Sequence, residues 1–387
     1  MRSWDIYCTV IDNYGDIGVS WRLARMLAQE RSAQVTLWVD DLTVFARIWP
    51  AIRPELPEQH CEGVTVRAWP LNGSPVAPAE VVVEAFGCVL PETTMATMSA
   101  QTSAPVWINL EYLSAESWVA SHHGLPSPHP RLPLTKYFFF PGYDPQTGGL
   151  LREHDLLTRC AKFQASGMDA YWARLGLPVA EPDEWRISLF AYETQVLEAL
   201  LAAWSGGDVR VSVLVPEGRI VPQLAAWLDQ PGLQVGDVVR RGALTVHVLP
   251  FVRQDEYDAL LWACDLNFVR GEDSCVRAQW AARPLVWQAY PQAASAHVDK
   301  LNALLALYVA RLPPEVAQAV TDCWQRWNGV PDAPEMAACW AALQTTRTVL
   351  ARHAVSWQAE MAQLPELAGA LAEFAENRLK SRAFSNP

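Results

Sequence analysis

Short runs of apolar residues recur along the first half of the chain and predict the strands of a sheet. The runs lie at 5–11, 35–39, 64–68, 80–85, 105–110 and 137–140. Segments with helical spacing or many turn residues separate several of them. Apolar strands that alternate with helices are typical of a mainly parallel sheet covered on both faces. The first half is therefore predicted to be a Rossmann-like α/β domain.

The alternation restarts after a segment rich in Pro, Gly and charge, PGYDPQTGGLLREHD, which is the predicted linker. Strands are predicted at 186–190, 209–215, 244–249, 265–269 and 284–288, and helices near 192–204, 220–229 and 254–263 and from about 274. From about 297 the chain is predicted to be helical. We expect a first domain over 1–155, onto which helices at about 350–380 pack back, and a second over 156–349.

The composition is that of a folded protein and excludes several functional classes. Hydrophobic residues make up 51% of the 387 residues and charged residues 19%, which excludes extensive disorder. The net charge of −12 argues against attraction to nucleic acid. No apolar stretch approaches the roughly 18 residues of a membrane span, and the N-terminus reaches acidic residues too soon for a signal peptide. We expect a cytoplasmic protein that does not associate with membranes.

The cysteines and histidines predict neither a disulfide framework nor a metal site. The eight cysteines are scattered without a CxxC pair, and several lie in apolar runs, so reduced and buried thiols are expected. The eight histidines show no HxxxH spacing. We therefore expect no structural metal ion.

An acidic loop follows the first predicted strand, in the stretch VIDNYGDIGVSW at 10–21. It carries two carboxylates, Asp12 and Asp16. Ligands of α/β folds bind at the carboxyl ends of strands, so both acids are expected to face a cleft. Their charge favours a cation, a sugar hydroxyl or a proton in transit over a phosphate. The alternative for Asp16 is that it caps the next helix, which is predicted to begin near Gly18.

A second informative stretch, CDLNFVRGEDSCVRAQWAARPLVWQAYPQ at 264–292, is predicted to form a strand, a turn, a helix and a strand. Asp273 and Ser274 are predicted N-cap residues of that helix. The first amides of the helix can bind a pyrophosphate, beside the positive charge of Arg270. An isolated RGEDS string is more often a solvated turn, but its place between an apolar strand and ARPLVW favours the pyrophosphate site.

Aromatic and amide side chains near other strand ends are candidates for the same ligand. Phe251 and Gln254 precede a predicted helix and are suited to stack on and read a pyrimidine base, although a surface staple explains them equally well. Phe190 and Tyr192 end a strand of the second domain and are candidates to line the same cleft. Core packing is the simpler explanation for Phe190.

Two doubly wound domains joined by a linker resemble the GT-B fold of glycosyltransferases, in which two Rossmann-like domains face each other across a cleft. Periplasmic binding proteins, some epimerases and two-domain dehydrogenases share this architecture. The segments VIDNYGDIGVSWRLARML, SLFAYE and FVRGEDSCVRAQWAARPLVWQ resemble, in order and spacing, the protein-arginine rhamnosyltransferases that modify bacterial elongation factor P. The resemblance spans essentially the whole chain. It implies a dTDP-β-L-rhamnose donor, inverting transfer to one arginine side chain and no metal or other cofactor.

The resemblance also implies roles for individual residues. Asp16 matches the general base of the family, Asp12 a second carboxylate, and Glu272 a position that is both catalytic and donor-binding. The remaining matches are donor-binding positions or aromatic positions near the base and sugar: Asn13, Tyr14, Gly15, Phe190, Tyr192, Phe251, Gln254, Arg270, Gly271, Asp273 and Ser274.

An arginine acceptor explains why two acids share one loop. A guanidinium stays protonated, with a pKa above ~12, and is a poor nucleophile. A carboxylate at hydrogen-bond distance can anchor it and accept a proton as the C–N bond forms. The alternatives are a nucleotide-sugar epimerase of similar architecture, which needs no protein acceptor, and a binding protein without catalysis. A dinucleotide-dependent oxidoreductase is disfavoured because the first loop lacks GxGxxG.

Overall fold

The computed structural model describes residues 1–11, 14–69, 76–181, 183–291 and 296–385, with side chains described as far as Ser381. The chain divides into two units. Unit 1 comprises Met1–His154 and Met361–Pro387, and unit 2 comprises Asp155–Glu360.

Unit 1 is built on a mainly parallel sheet, in which eight strands lie among the described residues. They are β1 (Ser3–Cys8), β2 (Gln34–Val39), β3 (Glu58–Cys61), β4 (Val64–Ala68), β5 (Val81–Ala85), β6 (Val106–Leu110), β7 (Pro126–Pro128) and β8 (Thr135–Phe139). Their order is β3-β4-β2-β1-β5-β6-β8-β7. The edge strands β3 and β7 are antiparallel to their neighbours, and the inner strands pair in parallel.

The helices of unit 1 cover this sheet. They are α1 (Gly15–Glu30), α2 (Leu42–Ile48), α3 (Glu92–Ser99), α4 (Val119–His122) and, from the end of the chain, α14 (Leu367–Ser385). Trp21 of α1 is fully buried, and its ring packs edge-on against Phe45 with ring centroids 5.1 Å apart. Helices α1 and α14 contact each other, so the C-terminal segment belongs to the core of unit 1.

Unit 2 repeats the architecture with six strands among the described residues. They are β9 (Trp185–Leu189), β10 (Val211–Pro216), β11 (Val238–Arg241), β12 (Leu244–Leu249), β13 (Leu266–Arg270) and β14 (Leu285–Gln288). Their order is β11-β12-β10-β9-β13-β14, and β11 is the antiparallel edge. Strands β9, β13 and β14 are buried along their whole length, as expected for parallel strands covered on both faces.

The helices of unit 2 are α5 (Leu156–Ser166), α6 (Met168–Arg174), α7 (Leu197–Gly206), α8 (Val221–Leu228), α9 (Gln254–Ala263), α10 (Asp273–Trp280), α11 (Ala296–Val309), α12 (Pro314–Trp327) and α13 (Met336–Met361). Buried aromatic rings fill the core. Phe268 of β13 packs edge-on against Trp204 of α7 and Trp327 of α12, with ring centroids 5.9 and 4.9 Å apart. This packing holds the sheet that carries the candidate site.

Every apolar run that predicts a strand overlaps a strand of the structure, and the parallel arrangement is confirmed. The sequence analysis missed β3, β7 and β11. These are short antiparallel edge strands with mostly exposed or half-exposed residues, so they lack the apolar pattern that identifies buried strands. The helix expected near Gly18 begins three residues earlier, at Gly15.

The structure also bears on the cysteines and on membrane-spanning helices. All eight cysteines are free thiols, and all except Cys61 are buried. Among the described residues, no helix is both long enough and apolar enough to cross a membrane.

Candidate functional site

The acidic loop of unit 1 follows β1 at the carboxyl edge of the sheet. Asp12 and Asn13, two of the predicted site residues, lie outside the described residues. Asp16 is the second residue of α1, and only 3% of its surface is exposed. Its Oδ2 accepts a hydrogen bond from the Ile11 main-chain N–H at 2.9 Å. The Asp16 carboxylate therefore supports the loop that carries the other candidates.

Capping of α1 does not account for Asp16. The N-cap residue is Tyr14, which makes no side-chain capping bond, and the Gly18 N–H donates to the Tyr14 carbonyl at 2.9 Å. A carboxylate in the first helical turn is favoured by the helix dipole, but the bond from Ile11 comes from outside the helix. Tyr14 and Gly15, both predicted site residues, are partly exposed at the start of the helix.

Asp40 is a further carboxylate of this edge that the sequence analysis missed. It directly follows β2, the neighbour of β1, and its Oδ1 accepts from the Val10 N–H at 2.9 Å. One carboxylate from the start of α1 and one from the end of β2 thus hold consecutive residues of the loop, while the Ile11 side chain remains 55% exposed. The signal in the sequence was the acidic pair Asp40 and Asp41 immediately after an apolar run.

In unit 2, the predicted pyrophosphate turn RGEDS connects β13 to α10 and is fixed to the neighbouring strand. Gly271 has φ +63°, a left-handed conformation that glycine adopts without strain. Its N–H donates to the Gln288 carbonyl at 3.1 Å, and its carbonyl accepts from Trp287 Nε1 at 2.6 Å. The turn is therefore held in place by β14 independently of its own charged side chains.

The prediction that Asp273 and Ser274 cap α10 is wrong. The N-cap residue is Glu272, without a side-chain capping bond. The Ser274 hydroxyl donates to the Arg270 carbonyl and accepts from the Arg270 N–H, so it closes the turn instead. Asp273 Oδ2 accepts from Gln254 Nε2 at 3.2 Å. Both side chains therefore have hydrogen-bond partners outside the helix.

Arg270 ends β13 and is 5% exposed. Its Cζ lies 4.5 Å from the ring centroid of Phe190 and 4.4 Å from that of Tyr192. These rings are next to it because β9 and β13 are neighbouring parallel strands. The contacts are cation–π interactions, which strengthen when the groups are desolvated. Phe190 is only partly buried and packs against a cation, so it is more than a core residue.

The start of α9 completes this region. Gln254 is its first residue and is 6% exposed, and Phe251 lies three residues earlier and is half-buried. Tyr257, which the sequence analysis missed, lies one turn beyond Gln254. Its ring centroid is 5.6 Å from that of Phe190, and its buried hydroxyl has no hydrogen-bond partner among the described residues. Water or a ligand normally satisfies such a group.

The structure thus brings most predicted residues of unit 2 together at the carboxyl ends of β9 and β13. We call this set the Arg270 cluster; it comprises Phe190, Tyr192, Gln254, Arg270, Gly271, Glu272, Asp273 and Ser274. A buried ion pair beneath it joins α9 to α10. Arg277 donates through Nε and Nη2 to the two carboxylate oxygens of Asp258, at 2.8 and 2.5 Å, and both side chains are at most 2% exposed.

Two more contacts in this region were missed by the sequence analysis. Lys300 of α11 donates to the Glu272 carboxylate. Tyr290, which is 40% exposed, packs edge-on against Tyr192 with ring centroids 5.6 Å apart. Among the described residues, no group of three or more His, Cys, Asp or Glu side chains is arranged to hold a metal ion.

Comparison with known proteins places these features in a family. A model of the family described as elongation factor P (EF-P) rhamnosyltransferase EarP matches residues 4–376. A protein-arginine rhamnosyltransferase from Pseudomonas putida is 49% identical over 379 residues, which cover 97% of this chain and 99% of that protein. One from Pseudomonas aeruginosa is 48% identical over 376 residues, with coverage of 97% and 99%.

Solved structures agree on the architecture. One that is described as the structural basis for EarP-mediated arginine glycosylation of translation elongation factor EF-P is 37% identical, with a TM-score of 0.69 and coverage of 97% of this chain and 99% of that one. A glycosyltransferase from Rickettsia africae shares the fold at 9% identity, with a TM-score of 0.50 and coverage of 100% and 99%. The predicted GT-B-like fold of two Rossmann-like units is confirmed. The chain is therefore a glycosyltransferase that belongs to the EarP family of EF-P rhamnosyltransferases.

Proposed function

We propose that the protein transfers L-rhamnose from dTDP-β-L-rhamnose to one arginine side chain of EF-P and inverts the anomeric centre, giving an α-linked N-rhamnosyl arginine. Family membership supports the sugar and the protein acceptor. The observation that carries the donor assignment is the Arg270 cluster. In it, a buried guanidinium, aromatic rings and the N-terminus of a helix lie together at the carboxyl ends of β9 and β13. This post-translational modification of a translation factor would take place in the cytoplasm.

The Arg270 cluster suits a nucleotide diphosphate, which makes unit 2 the proposed donor domain. The first-turn N–H groups of a helix lack intrahelical acceptors and favour an anion. Arg270 adds a fixed positive charge beside them, because two rings hold its guanidinium. Phe251, Gln254 and Tyr192 supply the ring surfaces and the amide that a pyrimidine and a sugar require.

The acidic loop suits the acceptor, which makes unit 1 the proposed acceptor domain. In the proposed step a guanidinium nitrogen attacks the anomeric carbon of rhamnose, the bond from that carbon to the diphosphate breaks, and Asp16 takes the proton. A carboxylate has about four acceptor positions, so a carboxylate that accepts from a main-chain N–H, as Asp16 does from Ile11, can also accept from a guanidinium. Since Asp16 is 3% exposed, we expect the acceptor to displace residues that cover it. Asp12 is proposed to strengthen the anchor.

We further propose that the transfer needs no metal ion. The leaving diphosphate gains negative charge as the sugar bond breaks. The N-terminus of α10 and Arg270 present positive charge fixed in advance, and preorganised charge of this kind lowers the barrier without a cation. Rhamnosyl transfer in excess EDTA should proceed at the untreated rate.

Intact-mass analysis of EF-P after incubation with the enzyme and dTDP-β-L-rhamnose tests the proposal. The expected result is one added deoxyhexose, located on an arginine by fragmentation, with the α configuration by NMR. Free dTDP should appear only when EF-P is present. Isomerisation of the sugar nucleotide without EF-P would indicate an epimerase, and unchanged EF-P with intact donor would contradict the proposal.

A further inference from the structure

The Arg270 cluster contains two carboxylates at the place where the proposed donor would bring a negatively charged diphosphate. Glu272 is the N-cap residue of α10, and Asp273 follows as the first helical residue. Both lie at the helix end proposed to receive a diphosphate, whose two phosphoryl groups are each negatively charged. Like charges at short range oppose binding, more strongly where the site is shielded from water. Arg270 alone does not balance two carboxylates.

Lys300 brings a positive charge to Glu272 from a distant part of the chain. It lies in the second turn of α11, and its Nζ donates to Glu272 Oε1. The side chains of Lys300 and Glu272 are only 16% and 17% exposed, so solvent and salt screen this pair less than a surface pair. With Lys300, the formal charges of Arg270, Glu272 and Asp273 are balanced; without it, their sum is negative.

We propose that Lys300 is a positioning residue for the sugar-nucleotide diphosphate: it neutralises Glu272 and holds that carboxylate beside the start of α10. This inference rests on the proposed function of the Arg270 cluster as the donor site. It assigns Lys300 an action through Glu272 and none on the reacting atoms. Neutralising the carboxylate should therefore make Lys300 dispensable for nucleotide binding.

Titration calorimetry with dTDP on the full-length protein tests this in four variants. Lys300→Met should weaken dTDP binding by about tenfold or more, the scale of one uncompensated charge at a partly buried site. Lys300→Arg, which keeps the charge, should bind within about threefold of the wild type. Glu272→Gln should bind dTDP at least as tightly as the wild type. The double variant Lys300→Met with Glu272→Gln should recover affinity to within about threefold.

Lys162→Met is the matched control, because Lys162 is an exposed lysine of unit 2 in α5 and loses the same charge. Its dTDP affinity should equal that of the wild type. In transfer assays, Lys300→Met should raise KM for the sugar nucleotide more than it lowers kcat, whereas Glu272→Gln should lower kcat.

Three results would overturn the inference. Unchanged dTDP affinity in Lys300→Met would make the pair a tether between α10 and α11. A double variant that binds as weakly as Lys300→Met would make Lys300 a direct ligand of the nucleotide. Failure of the wild type to bind dTDP would contradict both this inference and the proposed function. Wild-type binding of dTDP without transfer to EF-P would contradict the proposed function alone, and the variant series would still decide the role of Lys300.

Discussion

The two candidate regions both follow buried parallel strands, yet they are supported in different ways. Each follows a buried parallel strand, β1 in unit 1 and β13 in unit 2. In unit 2, Gly271 is bonded to β14 through its N–H and its carbonyl, while Arg270 is held by rings. In unit 1, the loop is held by carboxylates, since Asp16 and Asp40 accept from consecutive main-chain N–H groups.

The two regions differ in whether the residues that hold the backbone are also the residues proposed to act on the ligand. In unit 2, the residues that fix the turn are not the charged residues proposed to meet the ligand. In unit 1, the proposed base also holds its own loop, so a substitution there affects structure unless the replacement keeps an acceptor. Two of the four predictions, on Asp16 and Arg270, test this contrast, and the other two concern the buried ion pair of unit 2 and a half-buried histidine of unit 1.

The largest effect is expected for Asp16→Asn. The amide keeps an oxygen to accept from Ile11 but cannot take the proton, so the transfer rate should fall by about 10²- to 10⁴-fold. Affinity for dTDP should not change, because the nucleotide is proposed to bind the Arg270 cluster of unit 2 and asparagine keeps the acceptor that supports the loop of unit 1. Initial rates by mass spectrometry of EF-P measure the loss. Asp41→Asn is the control, because Asp41 caps α2 and asparagine caps equally well.

A variant Asp16→Asn that retains more than a tenth of the activity, a barrier change below about 1.4 kcal/mol, would show that Asp16 only supports the loop.

Arg277→Met should have the next largest effect, on stability. It leaves the Asp258 carboxylate buried without its bidentate partner, which typically costs about 3–5 kcal/mol. Urea unfolding followed by fluorescence measures the change. The control is Arg311→Met, which removes an exposed partner of Glu360 and should change the free energy of unfolding by less than about 1 kcal/mol. Equal losses in the two variants would mean that burial of the pair is unimportant.

Arg270→Lys should weaken dTDP binding by about tenfold, or ~1.4 kcal/mol, with little loss of stability. The charge remains, but an ammonium cannot reproduce the planar contacts with Phe190 and Tyr192. Arg241→Lys is the control in the same unit, since Arg241 lies over Trp227 with its Cζ 4.2 Å from the ring centroid. Calorimetry should show no change there. Equal affinities in both variants would assign Arg270 a purely electrostatic role.

The smallest effect is expected for His123→Gln in unit 1, on the pH dependence of stability. Burial lowers the pKa of His123 below its usual value of 6.5, because it penalises the charged imidazolium. Below pH 6.5 the unfolded chain takes up a proton at this position that the folded chain does not. The contribution of His123 to the free energy of unfolding should therefore be fully present above pH 6.5 and fall as the pH drops below that value. Urea unfolding at several pH values should show a shallower fall in His123→Gln. The control is His122→Gln, at the exposed neighbouring residue. If the free energy of unfolding fell equally steeply with pH in both variants, His123 would not be the cause of the fall.

Some of the site was predictable and some was not, for identifiable reasons. The stretches at 10–21 and 264–292 stood out because charged residues follow apolar strands at the sheet edge where ligands bind. The capping role of Asp273 and Ser274 was wrong because each side chain found a partner outside its helix. Tyr257 lay within reach of the sequence argument, since it is one turn from Gln254 on the same helix.

Local sequence patterns were enough to predict the succession of strands and helices, because the apolar spacing of each element shows which of its faces are buried. Motif order over the whole length also indicated the family. Contacts between distant residues came from the folded arrangement: Phe190 meets Arg270 through the pairing of β9 and β13, and Lys300 meets Glu272 through the placement of α11. Those contacts depend on the order of strands in the sheet and on the packing of helices across it, which no local pattern encodes.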